Sequence, residues 1–247
     1  MAQDEAELGL WTKTFQVASR NRVLCSVYVG AMMLIAISAD FTSSGSGSSI
    51  AQAFAAALLA IPAHLTVLTG NYVPSMWGKN YDNKAQMRFV LRGFGLGALA
   101  FGMAMLLTFA TLSFGVSQDY IVIVFLPIVL LFSALIFGRW GTMLPATVVN
   151  ADYSLKAAGE RGSKTWSYTF SRLLLSFGLL TILQLAVGLS ITGISNAEAK
   201  FFPATGEINV PLLLGSLATN VIGAIQVVMT AVILSRAYLR AEAAKSV

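Results

Sequence analysis

The chain has 247 residues, of which 56% are hydrophobic and only 11% charged, with a net charge of +5. A soluble domain carries about 25% charged residues, so this chain lacks the polar side chains to cover a water-exposed surface. A single cysteine, Cys25, and a single histidine, His64, exclude an intramolecular disulfide and leave a zinc site short of ligands, and no cofactor is expected.

Residues 1–22 read as an amphipathic segment. Leu8, Trp11, Phe15 and Ala18 recur at helical spacing, with Lys13 and Arg20 nearby. This is the pattern of a helix lying in the membrane–water interface; direct continuation into the next helix is the alternative. A cleavable signal peptide is disfavoured, because the leader is long and holds Asp4, Glu5 and Glu7.

Six apolar segments follow, at 23–39, 50–69, 90–116, 120–138, 173–194 and 210–235. A helix needs about 20 residues to cross a ~30 Å hydrocarbon core. The runs are continuously apolar, without the period of two of a barrel strand. The predicted fold is therefore an all-α integral membrane bundle of six transmembrane helices occupying 23–235. The second segment is Ala-rich and is the weakest of the set.

His64 lies in the second segment, two residues after Pro62 and on one face with Ala56 and Ala60. It reads as a proton or substrate contact, or more simply as a neutral ring bonded to a carbonyl freed by Pro62 or reaching the interface. In the third segment Gly93 and Gly97, with Ala98 and Gly102, suggest close helix packing. The run from Gly93 to Gly97 is no nucleotide loop, since no strand precedes it and no lysine follows. Pro127 is expected to kink the fourth segment.

The stretch between the fourth and fifth segments is the longest polar one. Pro145 is expected to start a helix there, Asp152 to cap one running through Ala158, and Gly159 or Gly162 to end it. Trp166, Phe170 and Leu173, flanked by Lys164 and Arg172, then repeat the amphipathic pattern. In the last two segments Thr181, Gln184, Gly188 and Thr192 form one polar stripe, and Asn220, Gly223, Gln226 and Thr230 another. These stripes could line a path, but glycines on the same faces favour interhelical hydrogen bonding. Asn209 is placed to cap the sixth segment, with Pro211 in its first turn. The candidate polar contacts within the membrane are His64, Gln184, Asn220 and Gln226.

Orientation follows from the loops. If the segments alternate across a membrane, every Lys and Arg except Lys200 falls on one side, together with Trp11, Trp77, Trp140 and Trp166. Positive charge marks the cytoplasmic face, and indole rings anchor at the headgroups there. Both termini, including a tail at 236–247, are therefore expected in the cytoplasm, with the spans as three antiparallel hairpins that short similarities suggest are repeats. A basic rim of Lys13, Arg20, Arg22, Arg88, Arg92, Arg139, Arg172 and Arg236 should attract anionic lipid headgroups. Nucleic acid is not an expected partner, because these residues punctuate apolar runs.

From Arg139 to Trp166 the chain has an arginine at a span end, then Pro145-Ala146, Val149, Ala157, Gly162 and Trp166. This stretch resembles the six-helix bacterial inner-membrane proteins of the YciC type. That group is similar to the membrane domain attached to glycerophosphodiester phosphodiesterases. Gly159-Glu160 stands where the pattern has a Ser-Trp pair, and no phosphodiesterase domain is present, so that activity does not carry over. The resemblance implies a six-helix architecture in a bacterial inner (plasma) membrane.

No base–nucleophile pair is visible, and Gly45-Ser46-Gly47 lacks the nucleophile elbow. The expected function is non-enzymatic, as an accessory, assembly or lipid/protein-interacting component, with self-association or other membrane proteins as further partners. The alternative is a small transporter or channel for a neutral or weakly polar solute. A membrane enzyme ranks third and would need Asp152, Glu160 and Lys164 to converge.

Overall fold

The computed structural model describes residues 9–41, 46–70, 83–113, 121–194, 200–202 and 208–245. Leu8, Gly45, Trp77 and Lys79 lie outside them. The described residues form helices α1 (Leu10–Arg20), α2 (Arg22–Phe41), α3 (Ser46–Thr69), α4 (Asn83–Ser113), α5 (Ile121–Trp140), α6 (Met143–Val148), α7 (Leu155–Lys164), α8 (Trp166–Ile194) and α9 (Val210–Ala243). No strand occurs among them.

Five runs are long and apolar enough to cross a membrane: Arg22–Ala39, Lys84–Thr111, Ile123–Trp140, Trp166–Ile191 and Val210–Ala243. The remaining apolar run, Phe54–Thr69, is shorter. It belongs to α3, a helix of 24 residues that opens on Ser, Gly and Gln. These helices fit a multi-pass membrane protein.

Asn21 separates α1 from α2. Its Nδ2 donates to the Val17 carbonyl (2.9 Å), and its backbone N–H is shared between the Val17 and Ala18 carbonyls (3.0 and 3.1 Å). A side chain that bonds to the preceding turn competes with helix continuation. The amphipathic stretch before α2 is thus a separate helix. Trp11 and Phe15 stack on its exposed side, 6.2 Å between centroids, while Lys13, Thr14 and Val17 are buried. The second amphipathic stretch behaves differently. Trp166 opens α8, which continues unbroken to Ile194, so the expected interfacial helix is here simply the start of the long one. Its apolar side stays in register, Trp166 stacking on Phe170 at 5.3 Å beside Gly138.

At the centre of the bundle stands α9, packed against α1, α2, α3 and α8 and touching α6 and α7. Asn209 caps it as expected, accepting from the Leu212 N–H (3.1 Å), with Pro211 in the first turn. Two clusters share it. Met229, Ile233 and Leu234 join Phe89, Leu144, Leu173 and Phe177, while Val228, Ala231 and Val232 join Val17, Leu59 and Ala63. Ala224, Val228, Ala231 and Ser235 follow helical spacing along a buried face, where small side chains let neighbouring backbones approach.

The glycines of α4 do not pack as expected. A Cβ on Gly93 would touch Leu144 at 3.9 Å, but one on Gly97 or Gly102 would meet nothing within 4 Å. Their surfaces face outward from the described helices. Helix α5 runs through Pro127 without a break in its assignment.

The segment between α5 and α8 is a buried plug. Gly141 through Thr147 are all buried. Pro145 is the third residue of α6, where a missing N–H costs little. Asn150, at φ 53°, reverses the chain, and the Ala151 N–H returns to the Ala146 carbonyl (2.9 Å); asparagine tolerates this left-handed conformation.

The cap of α7 is Ser154, not Asp152. Ser154 Oγ accepts from the Ala157 N–H (3.2 Å), and Asp152 Oδ1 accepts from the Ser154 N–H (2.9 Å), moving the start two residues on. Gly159 and Gly162 lie inside α7 rather than ending it. The reason is proximity: a Cβ on Gly162 would collide with the Arg139 carbonyl, its carbon lying at 2.8 Å, and one on Gly159 would sit 3.6 Å from Trp140 Nε1.

Candidate functional site: the arginine–tyrosine end

Contacts between basic side chains and distant helix ends gather the starts of α2, α4 and α8 and the ends of α3, α5 and α9. Arg20 Nη1 donates to the carbonyl of Gly70 (3.0 Å), the positive-φ residue (71°) after α3. This satisfies an orphan carbonyl beyond a helix C-terminus.

Across α4 and the plug, Arg92 Nη1 donates to Thr147 Oγ1 (3.0 Å), and its guanidinium lies 4.0 Å from the centroid of the Tyr153 ring. Arg88, one turn earlier, donates to the Tyr153 hydroxyl (3.1 Å). Between α8 and α9, Tyr168 lies between two guanidiniums, Arg172 at 4.5 Å and Arg240 at 3.9 Å from its centroid. Its hydroxyl oxygen is buried with no hydrogen-bond partner among the described residues. Cations over aromatic faces gain about 0.5–1 kcal/mol when exposed and more when desolvated.

Arg161 is the most buried of these cations, at 1% exposure. Its Nη2 donates to the Asp152 carbonyl (2.7 Å) and its Nη1 lies 3.4 Å from Glu242 Oε1. The Tyr238 ring is 5.3 Å away. Glu242 also accepts from Lys245 (2.9 Å), so the end of α9 is tied to α7 through a shared carboxylate. Asp152 is exposed, and the Ser154 N–H holds its carboxyl below the usual carboxylate range.

Within the helices, His64 is buried, with Nδ1 2.7 Å from Ser235 Oγ and the Phe89 ring edge-on at 5.5 Å. Its partner is thus a hydroxyl of α9 rather than a carbonyl freed by Pro62, because the ring points into the α3–α9 contact. Nearby, Asn21 Nδ2 donates to Thr66 Oγ1 (3.0 Å), which donates to the Pro62 carbonyl (2.8 Å).

The polar stripes of α8 and α9 do not join into one line. Gln184 and Tyr28 both approach Gly223, where a Cβ would lie 3.8 Å from Gln184 Nε2 and 3.4 Å from the Tyr28 hydroxyl. Asn220 turns to α2, its Nδ2 3.3 Å from Met33 Sδ. Gln226 is half-buried, and its carbonyl accepts from Thr230 (2.8 Å). A groove of about 320 Å³ between α8 and α9 is lined by Ala186, Val187, Ser190, Ile191 and Pro211, and is apolar apart from Ser190.

The expected rim divides accordingly. Arg22 and Arg139 are exposed, Arg236 is half-buried, and Arg20, Arg88, Arg92 and Arg172 are engaged as above. Lys13 does not join the rim: it is 3% exposed, on the side of α1 turned to the bundle. Pro145 and Ala146 are buried within the plug, Gly162 lies against the Arg139 backbone, and Trp166 lies against Gly138. Asp152, Glu160 and Lys164 are each exposed.

Sequence reasoning missed Tyr153, Tyr168, Tyr238, Arg161 and Ser235. The tyrosines had a usable signal, since each falls among arginines on the basic side. Arg161 and Ser235 had none, because their partners lie 81 and 171 residues away.

No protein-family model, curated protein or solved structure matches the chain.

Proposed function

We propose that this is a non-enzymatic, multi-pass protein of a bacterial inner membrane, with six spans in three antiparallel hairpins and both ends in the cytoplasm. Its arginine–tyrosine end engages anionic lipid headgroups, and the protein serves as an accessory or assembly component for lipids or other membrane proteins. One observation carries this reading. Arg88, Arg92, Arg172 and Arg240 are oriented by tyrosine rings and hydroxyls, and none is paired with a carboxylate among the described residues. Cations positioned in this way, with N–H donors to spare, suit phosphate oxygens. The resemblance of Arg139–Trp166 to the YciC type supports the choice of membrane and the six-span count.

Two measurements test the proposal. Cysteines introduced singly near residue 45 and near residue 245 should label from opposite sides of the membrane, and labelling from one side removes the topology. Protein extracted in native lipid should retain phosphatidylglycerol or cardiolipin in preference to phosphatidylethanolamine. Retention of neither class above a membrane protein without a basic rim removes the lipid role.

A further inference from the structure

We infer that α4 carries a discrete site for one anionic phospholipid, its headgroup on Arg88 and Arg92 and an acyl chain along Gly95, Leu99, Gly102 and Leu106. The inference rests on the lipid-binding reading and gives it a location.

Arg88 and Arg92 are one turn apart, so their side chains neighbour each other. Like charges so placed repel, and a shared anion relieves the repulsion. Both are half-buried rather than free in solvent. Arg92 is fixed by Thr147 and lies over the face of Tyr153, while Arg88 is fixed by the Tyr153 hydroxyl. Each of these bonds uses a single nitrogen, and no carboxylate among the described residues pairs with either guanidinium. A pre-oriented pair of this kind loses less side-chain freedom on binding a phosphate than two mobile cations would.

What lies below the pair distinguishes a lipid from a soluble phosphate. Continuing along the same face of α4, Gly95 is exposed, Leu99 is 46% exposed and Leu106 is 72% exposed. A Cβ on Gly95 or Gly102 would meet nothing within 4 Å, so the surface there is a shallow apolar furrow. From Arg92 to Leu106 the helix rises about 21 Å at 1.5 Å per residue, which covers the ~15 Å of one leaflet of a ~30 Å hydrocarbon core together with the approach from the headgroups. The track thus matches one leaflet in length, with the charge at the headgroup end. A free phosphate would use the arginines and leave the furrow without a role.

The test uses the full chain in nanodiscs containing phosphatidylcholine and phosphatidylglycerol, with retained lipid counted by native mass spectrometry. The wild type should hold phosphatidylglycerol selectively. The Arg88→Gln/Arg92→Gln double variant should lose about tenfold or more of that selectivity, at least the scale of one charge-assisted hydrogen bond. Lys156→Gln/Lys164→Gln removes equal charge from exposed positions outside the basic rim and should change little. Gly95→Leu fills the furrow at a place with open space, so it should fold and yet lose selectivity with both arginines intact.

Equal losses in the two double variants would overturn the discrete site while leaving the diffuse basic rim standing. A wild type without selectivity would overturn the lipid reading itself. Displacement of the lipid by inorganic phosphate would assign the arginines to a soluble anion. A change of oligomeric state in Gly95→Leu, without loss of lipid, would make this face a contact between two copies and remove the proposal.

Discussion

The two ends of the bundle are built differently. At the arginine-rich end, α9 is almost continuously buried from Val228 to Ala237, and the plug between α5 and α8 fills the space between helices. At the other end, α2 buries little beyond Tyr28, and α8 buries nothing between Ile182 and Ile191. Gly215 is buried there, because it faces the Ile191 side chain where α8 and α9 meet. Apolar side chains gain nothing by leaving lipid for protein, so close packing in a membrane comes from shape and polar contacts. This chain concentrates both at one end. The other end leaves large apolar side chains such as Leu106, Leu189 and Leu214 exposed, and hydrocarbon can cover them.

A pair of glycine substitutions would break that contrast most directly. Gly162→Ala drives a methyl group into the Arg139 backbone and should cost about 3 kcal/mol, the upper range for overpacking. Gly188→Ala, at the other end, places its methyl group in open space and should be neutral or gain up to about 1 kcal/mol from helix propensity. Thermal unfolding in a mild detergent checks both, and equal effects would mean that the two ends are alike.

Next comes Arg161→Met, which keeps the packing stem but strands the Asp152 carbonyl and leaves Glu242 to Lys245 alone. Losing one partner of a buried pair costs about 3–5 kcal/mol. Glu242 is 35% exposed, and water takes up part of the loss, so about 2 kcal/mol is expected in the same assay. Ser235→Ala follows at about 1–2 kcal/mol, since it leaves the buried His64 Nδ1 without its hydroxyl. A larger loss than for Gly162→Ala would shift the centre of stability from the plug into the α3–α9 contact.

The smallest effect concerns acidity. The Ser154 N–H depresses the Asp152 carboxyl, so its contribution is fully present above the ordinary carboxylate range and is lost as pH falls through the lower folded value. Asp152→Asn should remove that part of the acid-side decline in unfolding temperature and leave neutral pH nearly unchanged. An acid limb identical in the two proteins would assign the decline to other carboxylates.

The long helices were legible because continuous apolarity over a bilayer-length run has few other meanings. The shorter apolar run of α3 was also legible as the weakest. The plug was not, and its residues explain why. Gly159 and Gly162 have the composition of a turn, yet they are helical because another backbone lies against them. A glycine's role depends on what faces it, so Gly97 and Gly162 exchanged their expected meanings: the one in a packing motif is open, and the one expected to stop a helix is enclosed. Arg161 gave no sign of burial in the sequence, since its carboxylate partner Glu242 lies on α9. The two amphipathic stretches matched in pattern, and only Asn21, a single side chain bonding backward, separates one into its own helix. Trp166, with no such residue after it, opens α8 directly.

The central position of α9 also has a consequence for biosynthesis. A ribosome makes the chain from its N-terminus, and α9 is threaded into the membrane after α1, α2, α3 and α8, all of which pack on it. Until then those helices lack their common neighbour, and Arg161 and His64 wait without Glu242 and Ser235. At 34 residues α9 is about 51 Å long, well beyond a ~30 Å core. Assembly is thus gated by a late event, and a nascent chain stalled before α9 should be a substrate for membrane quality control.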